Sequence, residues 1–420
     1  MARPLIVCGV LLFAHVAVAQ PAARATPAAA TEKPRAAGGE LLAPAEDAAH
    51  VVVGTIVARR QLDLQGWSAE LAIERVLLGA AQPAVKLRIA WEELAPSRAV
   101  RFASGERALV VLEPLPNGSL WMTRFPKRDA WAVAGRGEAF ARMPEASSLD
   151  ALQRYLALKR PQRGAPAGIA ALANLARRGS EPLAQEALTR LGAVSALAQK
   201  LGADARASLS ALLADPQRSD ALRASALALA GRRKLSALTP DARLLASAGG
   251  RLAPAAVEAL GAMGALTPTE AQRYASSRDP ALRAAALRGA PSAYDASRLT
   301  TLAKRDAAGE VRAAALGALV RREGARAAST AVDALFDADA DVQAEALRVL
   351  PAFPKESAQL LRARAFGPRA NDAEATKPAL AGLSLLGRDG VAVLNEIERD
   401  HPNEEIRRLA QFLLGRTPEH

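Results

Sequence analysis

The side chains that most often hold metals or act as nucleophiles are scarce in this chain, which has one cysteine and four histidines in 420 residues. Cys8 and His15 lie close to the start, and His50, His401 and His420 fall in different regions or at the terminus. Metal binding needs several such ligands to converge, so neither a metal site nor a cofactor is expected. The densest acidic group is Asp337-Ala338-Asp339-Ala340-Asp341. It resembles the start of a calcium loop but lacks the glycine and distal glutamate that such loops need. Its simpler reading is a turn whose acids sit at a helix N-terminus, where the macrodipole favours them. No Gly-x-Ser-x-Gly elbow and no glycine-rich phosphate loop is present. Acid/base catalysis by two carboxylates brought together in the fold leaves no sequence mark and stays open. The remaining candidates are the four tryptophans, Trp67, Trp91, Trp121 and Trp131. A Trp in a small β domain usually belongs to the core, yet Trp is also enriched at binding hot spots. Trp91, before the loop at 92–97, and Trp121, beside a turn, are the possible contact aromatics.

The elements that position these residues fall into distinct regions. Residues 1–19 read as a secretory signal, with Arg3, an apolar run over 5–18, and Ala17-Val18-Ala19 before Gln20. The run is shorter than the ~20 residues a spanning helix needs, so no transmembrane segment is expected after cleavage. Cys8 sits too early, behind Val7, to be a lipid-attachment cysteine. The mature chain would then have no disulfide, and its stability must come from packing. The expected location is the periplasm or the cell exterior. Residues 20–47, rich in Ala and Pro, are expected to be a flexible linker.

Residues 48–143 change character. Val51-Val52-Val53-Gly54-Thr55-Ile56-Val57 is β-branched, and Val85-Lys86-Leu87-Arg88-Ile89-Ala90-Trp91 alternates apolar with basic. Ala108-Leu109-Val110-Val111-Leu112 follows a Gly-Glu turn, and Leu120-Trp121-Met122-Thr123 is expected as its hairpin partner. Trp131-Ala132-Val133-Ala134-Gly135 is a last short strand. This spacing predicts a small barrel or sandwich. Residues 144–164 then bridge to the C-terminal region, with Ser148 as the candidate cap of a helix carrying Leu149, Leu152, Tyr155 and Leu156 on one face.

Over 165–420 a phrase recurs, Asp279-Pro280-Ala281-Leu282-Arg283, Gly309-Glu310-Val311-Arg312 and Asp341-Val342-Gln343, each followed four residues later by Leu287, Leu316 or Leu347. Looser copies carry Arg223 and Arg407. A period near 30 in an Ala/Leu-rich stretch predicts about eight stacked helix pairs. Abundant Ala and Gly lets the helices approach closely. Each phrase Arg is expected to pair with a nearby acid, such as Asp279 with Arg283.

The phrase resembles HEAT repeats in their short bacterial form. That resemblance implies that Arg223, Arg283, Arg312 and Arg407 build a ladder between repeats, weakened where Gln343 replaces Arg. The order of the elements at 51–57, 70–79 and 102–112 resembles the OB-like barrel of the netrin and tissue-metalloproteinase-inhibitor superfamily. The inhibitory members use an N-terminal cysteine that this mature chain lacks, so only an extracytoplasmic binding barrel is implied. The expected fold is therefore multidomain, a small all-β OB-like barrel followed by an all-α HEAT-type solenoid.

The formal net charge is +12, but the basic residues are scattered among acids and not interleaved with aromatics. Nucleic acid is therefore not the expected partner. The expected function is a non-catalytic, monomeric scaffold that binds a protein. Two alternatives stand, an extracytoplasmic enzyme or protease regulator, and a binder of polyanions or the envelope.

Overall fold

Residues 41–63, 65–92, 102–134, 139–142, 145–289 and 291–415 are described in a computed structural model. The leader at 1–19, most of the linker and His420 lie outside them.

Strand β1 (His50–Gln61) pairs antiparallel with both β2 (Gly66–Leu78) and β4 (Arg107–Pro114). Its register with β2 shifts between Val53 and Gly54, and at Gly54 an added Cβ would stand 2.3 Å from the Ala72 carbonyl oxygen, so only glycine fits. Strand β3 (Lys86–Glu92) pairs antiparallel with β2 and parallel with β5 (Trp131–Val133), which returns antiparallel to β4. The order β1-β2-β3-β5-β4, closed by the β1–β4 pairing, is a five-stranded OB-like barrel. Strand β6 (Phe140–Arg142) adds to β4 outside the ring. Val52, Ile56, Leu71, Ile89, Trp91, Phe102, Val110 and Leu112 fill the interior.

Two expectations for this region fail. Residues 120–123 are not a hairpin strand but part of helix α2 (Ser119–Arg124). The helix packs on the barrel exterior, in a cluster of Ala90, Ala132, Leu115, Phe125 and Trp121. The helical turn brings Trp121 and Phe125 together, with ring centroids 6.2 Å apart, an i,i+4 contact that a strand could not make. The linker expected over 20–47 is also not unstructured to its end. Its last residues form α1 (Leu42–Asp47), with Leu41, Leu42 and Ala45 buried.

After the barrel come α3 (Ala146–Leu156) and a single turn, α4 (Arg160–Arg163). Glu145, not Ser148, is the N-cap of α3. Ser148 is inside the helix, buried, and its hydroxyl donates to the Arg178 carbonyl at 3.1 Å.

The helices then run in pairs: α5 (Pro166–Arg178) with α6 (Glu181–Ala193); after the short α7 (Leu197–Lys200), α8 (Ala203–Ala214) with α9 (Asp220–Arg232); and α10 (Thr239–Ala248) with α11 (Ala253–Ala262). There follow α12 (Pro268–Ala275) with α13 (Pro280–Gly289), α14 (Ala296–Arg305) with α15 (Gly309–Glu323), and α16 (Ala328–Ala334) with α17 (Ala340–Val349). The last pairs are α18 (Pro354–Ala365) with α19 (Ala373–Leu383), and α20 (Gly387–Asp400) with α21 (Glu404–Leu414). Pro sits in the first turn of α5, α6, α10, α11, α12 and α18, where its missing N–H has no helical partner to lose.

Barrel and solenoid share one core. Val51, Val53, Leu109 and Val111, on the outer face of β1 and β4, belong to the same buried cluster as Leu149, Leu152, Ile169 and Leu188. Helix α1 fastens the junction. Glu186 of α6 accepts the N–H groups of Leu41, at 2.8 and 2.9 Å, and of Leu42, at 2.6 Å. At the other end of α1, the Glu46 carboxylate accepts from the Tyr155 hydroxyl at 2.5 Å and pairs with Arg190 at 3.2 Å. The Glu46 carbonyl accepts from Arg163 at 3.1 Å. Burial, reinforced by Glu46, pushes the Tyr155 phenol well above its ordinary range.

Candidate functional site

The phrase residues lie at the turns within each pair. Arg283 donates to the carbonyls of Ser277 at 3.0 Å and Arg278 at 3.2 Å, where α12 ends. Its other nitrogen reaches Asp306 at 2.9 Å, in the turn of the next pair. The expected partner, Asp279, instead accepts the Ala281 N–H at 3.0 Å, so its carboxylate is engaged by the backbone. Arg312 repeats the pattern, donating to the Asp306 carbonyl at 2.8 Å and forking onto Asp337 at 2.8 and 2.6 Å. Gln343 donates to the Asp337 carbonyl at 2.6 Å, while Asp372 in the next turn is held by Arg369 and the Ala375 N–H. Arg407 donates to the His401 carbonyl at 2.6 Å, and Arg223 to that of Leu213 at 2.9 Å. All five therefore satisfy carbonyls left open where a first helix ends. Arg283 and Arg312 also link one pair to the next.

The Arg312 guanidinium holds the Asp337 carboxyl below the usual carboxylate range, and Asp337 in turn raises Arg312. The two side chains are only 14% and 16% exposed. A double-mutant cycle with Arg312→Ala and Asp337→Ala is expected to give a coupling of about 1–3 kcal/mol. The folded-state pKa of Asp337 lies below the unfolded value of about 3.9, so the contribution is present above that pH. It is lost as the pH falls through the folded-state pKa. A coupling that stays constant down to acid unfolding would contradict this pairing.

The acidic cluster has the same structural explanation. Asp337 accepts the Asp339 N–H at 2.8 Å, and Asp339 caps α17 by accepting the Asp341 N–H at 2.9 Å. Among the described residues no three His, Cys, Asp or Glu side chains converge as a metal site. His401 is buried, with Nε2 3.0 Å from the Ala365 carbonyl and Nδ1 accepting the Asn403 N–H at 3.2 Å. His50 packs edge-on against Trp131, and burial lowers its pKa.

Trp91 is not a contact residue, being 1% exposed inside the barrel with Phe102 edge-on at 4.9 Å. Its place on the inward face of β3 buries the large ring against Phe102 and the other interior side chains. Trp121 remains partly exposed, with the Arg124 guanidinium 4.9 Å from its ring centroid. Arg124 is the residue that sequence reasoning missed. Its side chain is 7% exposed and pairs with Asp63 at 2.6 Å and Glu92 at 3.1 Å. It thus ties together α2, the β1–β2 turn and the end of β3. Backbone N–H groups of Gln65 and Gly66, together with Arg124, hold the Asp63 carboxyl below its usual range. No local pattern could have revealed this, since the acids lie 61 and 32 residues away.

The second helices of successive pairs pack against one another over the middle of the solenoid. A Cβ added to Gly261 of α11 would stand 2.2 Å from the Gly289 Cα of α13. Charges line this second-helix face. Arg288 of α13 pairs with Glu258 of α11 at 2.5 Å. On α17, Arg348 forks onto Glu345 at 2.7 and 2.5 Å. Arg321 of α15 stands between these pairs, with one nitrogen 3.4 Å from the Arg288 carbonyl.

No family model matches the chain, and no curated protein matches it. Among solved structures, human deoxyhypusine hydroxylase in complex with glycerol aligns at 17% identity and a TM-score of 0.30, over 60% of this chain and 96% of that one. An engineered protein aligns at 18% identity and a TM-score of 0.20, over 59% of this chain and 95% of that one. At these scores the likenesses carry nothing about the chemistry of this chain.

Proposed function

We propose that this chain is an exported, non-catalytic scaffold that holds a protein partner on the second-helix face of a HEAT-type solenoid. The observation that carries the reading is the repetition of that face. Equivalent helices stack side by side from α9 to α17, and they present charged side chains between alanines and glycines. Such a surface suits an extended partner, which gains a similar contact at each pair. The barrel resembles netrin-type binding domains and, sharing its core with the first helices, closes the N-terminal end of the stack. Export follows from the leader over 1–19, and the protein recovered from a periplasmic fraction is expected to begin at Gln20.

The test is cross-linking of the full chain in an envelope extract, read by mass spectrometry. Cross-links from a partner to the second helices would support the scaffold. Cross-links confined to the barrel would move the site there. Turnover of an extract component, with no stable partner, would favour an enzyme instead.

A further inference from the structure

We propose that Arg321 anchors a carboxylate of an acidic polypeptide segment lying across the second helices α11 to α17, an inference that rests on the scaffold reading above. The charges along this row are Glu258, Arg288, Arg321, Glu345 and Arg348. Arg288 is neutralised by Glu258, and Arg348 by Glu345. Arg321 has no carboxylate partner among the described residues, and its polar contact is the long one to the Arg288 carbonyl. The oxygens of Glu345, the nearest acid in electrostatic reach, are both held by Arg348. Desolvation depresses Arg321, attraction from Glu345 offsets part of this, and Arg348 and Arg288 press on it with like charge. The row therefore carries one net positive charge, with Arg321 the arginine lacking a direct ion pair, and one incoming carboxylate would balance it.

The surroundings favour polypeptide over nucleic acid. Ala262 and Ala344, both exposed within a turn of these charges, have side chains small enough to let a peptide backbone come close. No aromatic residue occurs on α11, α13, α15 or α17, so nucleobases would find nothing to stack on.

The probe is a fluorescent polyglutamate peptide titrated with the full chain at low salt and read by anisotropy. Arg321→Glu is expected to weaken binding at least about tenfold, and Arg321→Lys less. Arg206→Glu, the same charge change at an exposed residue of α8, is expected to weaken it less than about twofold. Equal losses for Arg206→Glu and Arg321→Glu would mean diffuse attraction and overturn the proposal. So would an unchanged affinity in Arg321→Glu, or Arg321-dependent binding of oligothymidylate with none of the peptide. Matching melting temperatures for all variants exclude unfolding. Cross-linking Arg321→Glu in the extract separates the two readings. A partner held equally by wild type and variant removes the Arg321 anchor and keeps the scaffold, whereas no partner on the wild type removes the scaffold itself.

Discussion

Gly261→Ala is expected to destabilise the chain by about 1–3 kcal/mol, although alanine is the better helix former by about 1 kcal/mol. The reason is backbone contact. The new Cβ would stand 2.2 Å from the Gly289 Cα and 2.5 Å from the Gly289 carbonyl oxygen, and a main chain cannot rotate away as a side chain can. Either α11 and α13 separate, opening the Ala256, Val257 and Leu287 packing beneath them, or the helix bends. Gly261→Val adds two more methyl groups and is expected to cost about 3 kcal/mol or more. The reciprocal change provides the control. At Gly289 the new Cβ would meet the Gly261 Cα at 3.2 Å, the Val257 carbonyl oxygen at 3.3 Å and a flexible Leu266 methyl at 3.3 Å, contacts that a shift of a few tenths of an ångström relieves. Gly289→Ala is therefore expected to stay within about 1 kcal/mol of wild type, clash and helix propensity nearly offsetting each other. Urea unfolding of the three variants checks this. Equal losses at the two glycines would mean the helices do not cross where the structure puts them.

That crossing shows what the sequence could and could not disclose. The repeat was legible because every second helix must bury the same stripe, so Leu287 and Leu316 recur at fixed distance from the phrase. The stacking partner of each Arg was not, because Arg283 selects Asp306 only once the next pair is in place. Strands β1 and β4 show a related limit. Their apolar runs do not alternate because one face fills the barrel and the other packs on the first helices. A run of that kind signals burial on both sides without saying against what. Helix α1 was hidden by the Ala/Pro composition before it, and its one clue was the pair Leu41-Leu42, both of which are buried. The contact role imagined for Trp91 failed on ordinary packing grounds. Arg124 and Arg321 matter through residues far away in sequence, which no window of one sequence can contain.

Leu316→Asp is expected to be more damaging than Gly261→Ala. Leu316 is 0% exposed on α15, in the middle of the stack. Removing it forfeits about 2–5 kcal/mol of packing, and the carboxylate adds several more because nothing there can accept its charge. Packing in a solenoid is mostly between neighbours, so the damage should spread from α15 to α13, α14 and α17 before reaching the ends. Hydrogen exchange should accordingly show protection lost first in these helices, with the barrel and α21 opening last. The phrase supplies its own comparison at Leu347, the same position one pair later, which is only partly buried at the edge of the core. Leu347→Asp should cost less, because its carboxylate can reach water. If both substitutions lowered stability alike, the phrase would be fixing sequence register without fixing burial. The assignment of Leu316 to the centre of the core would then have to be given up.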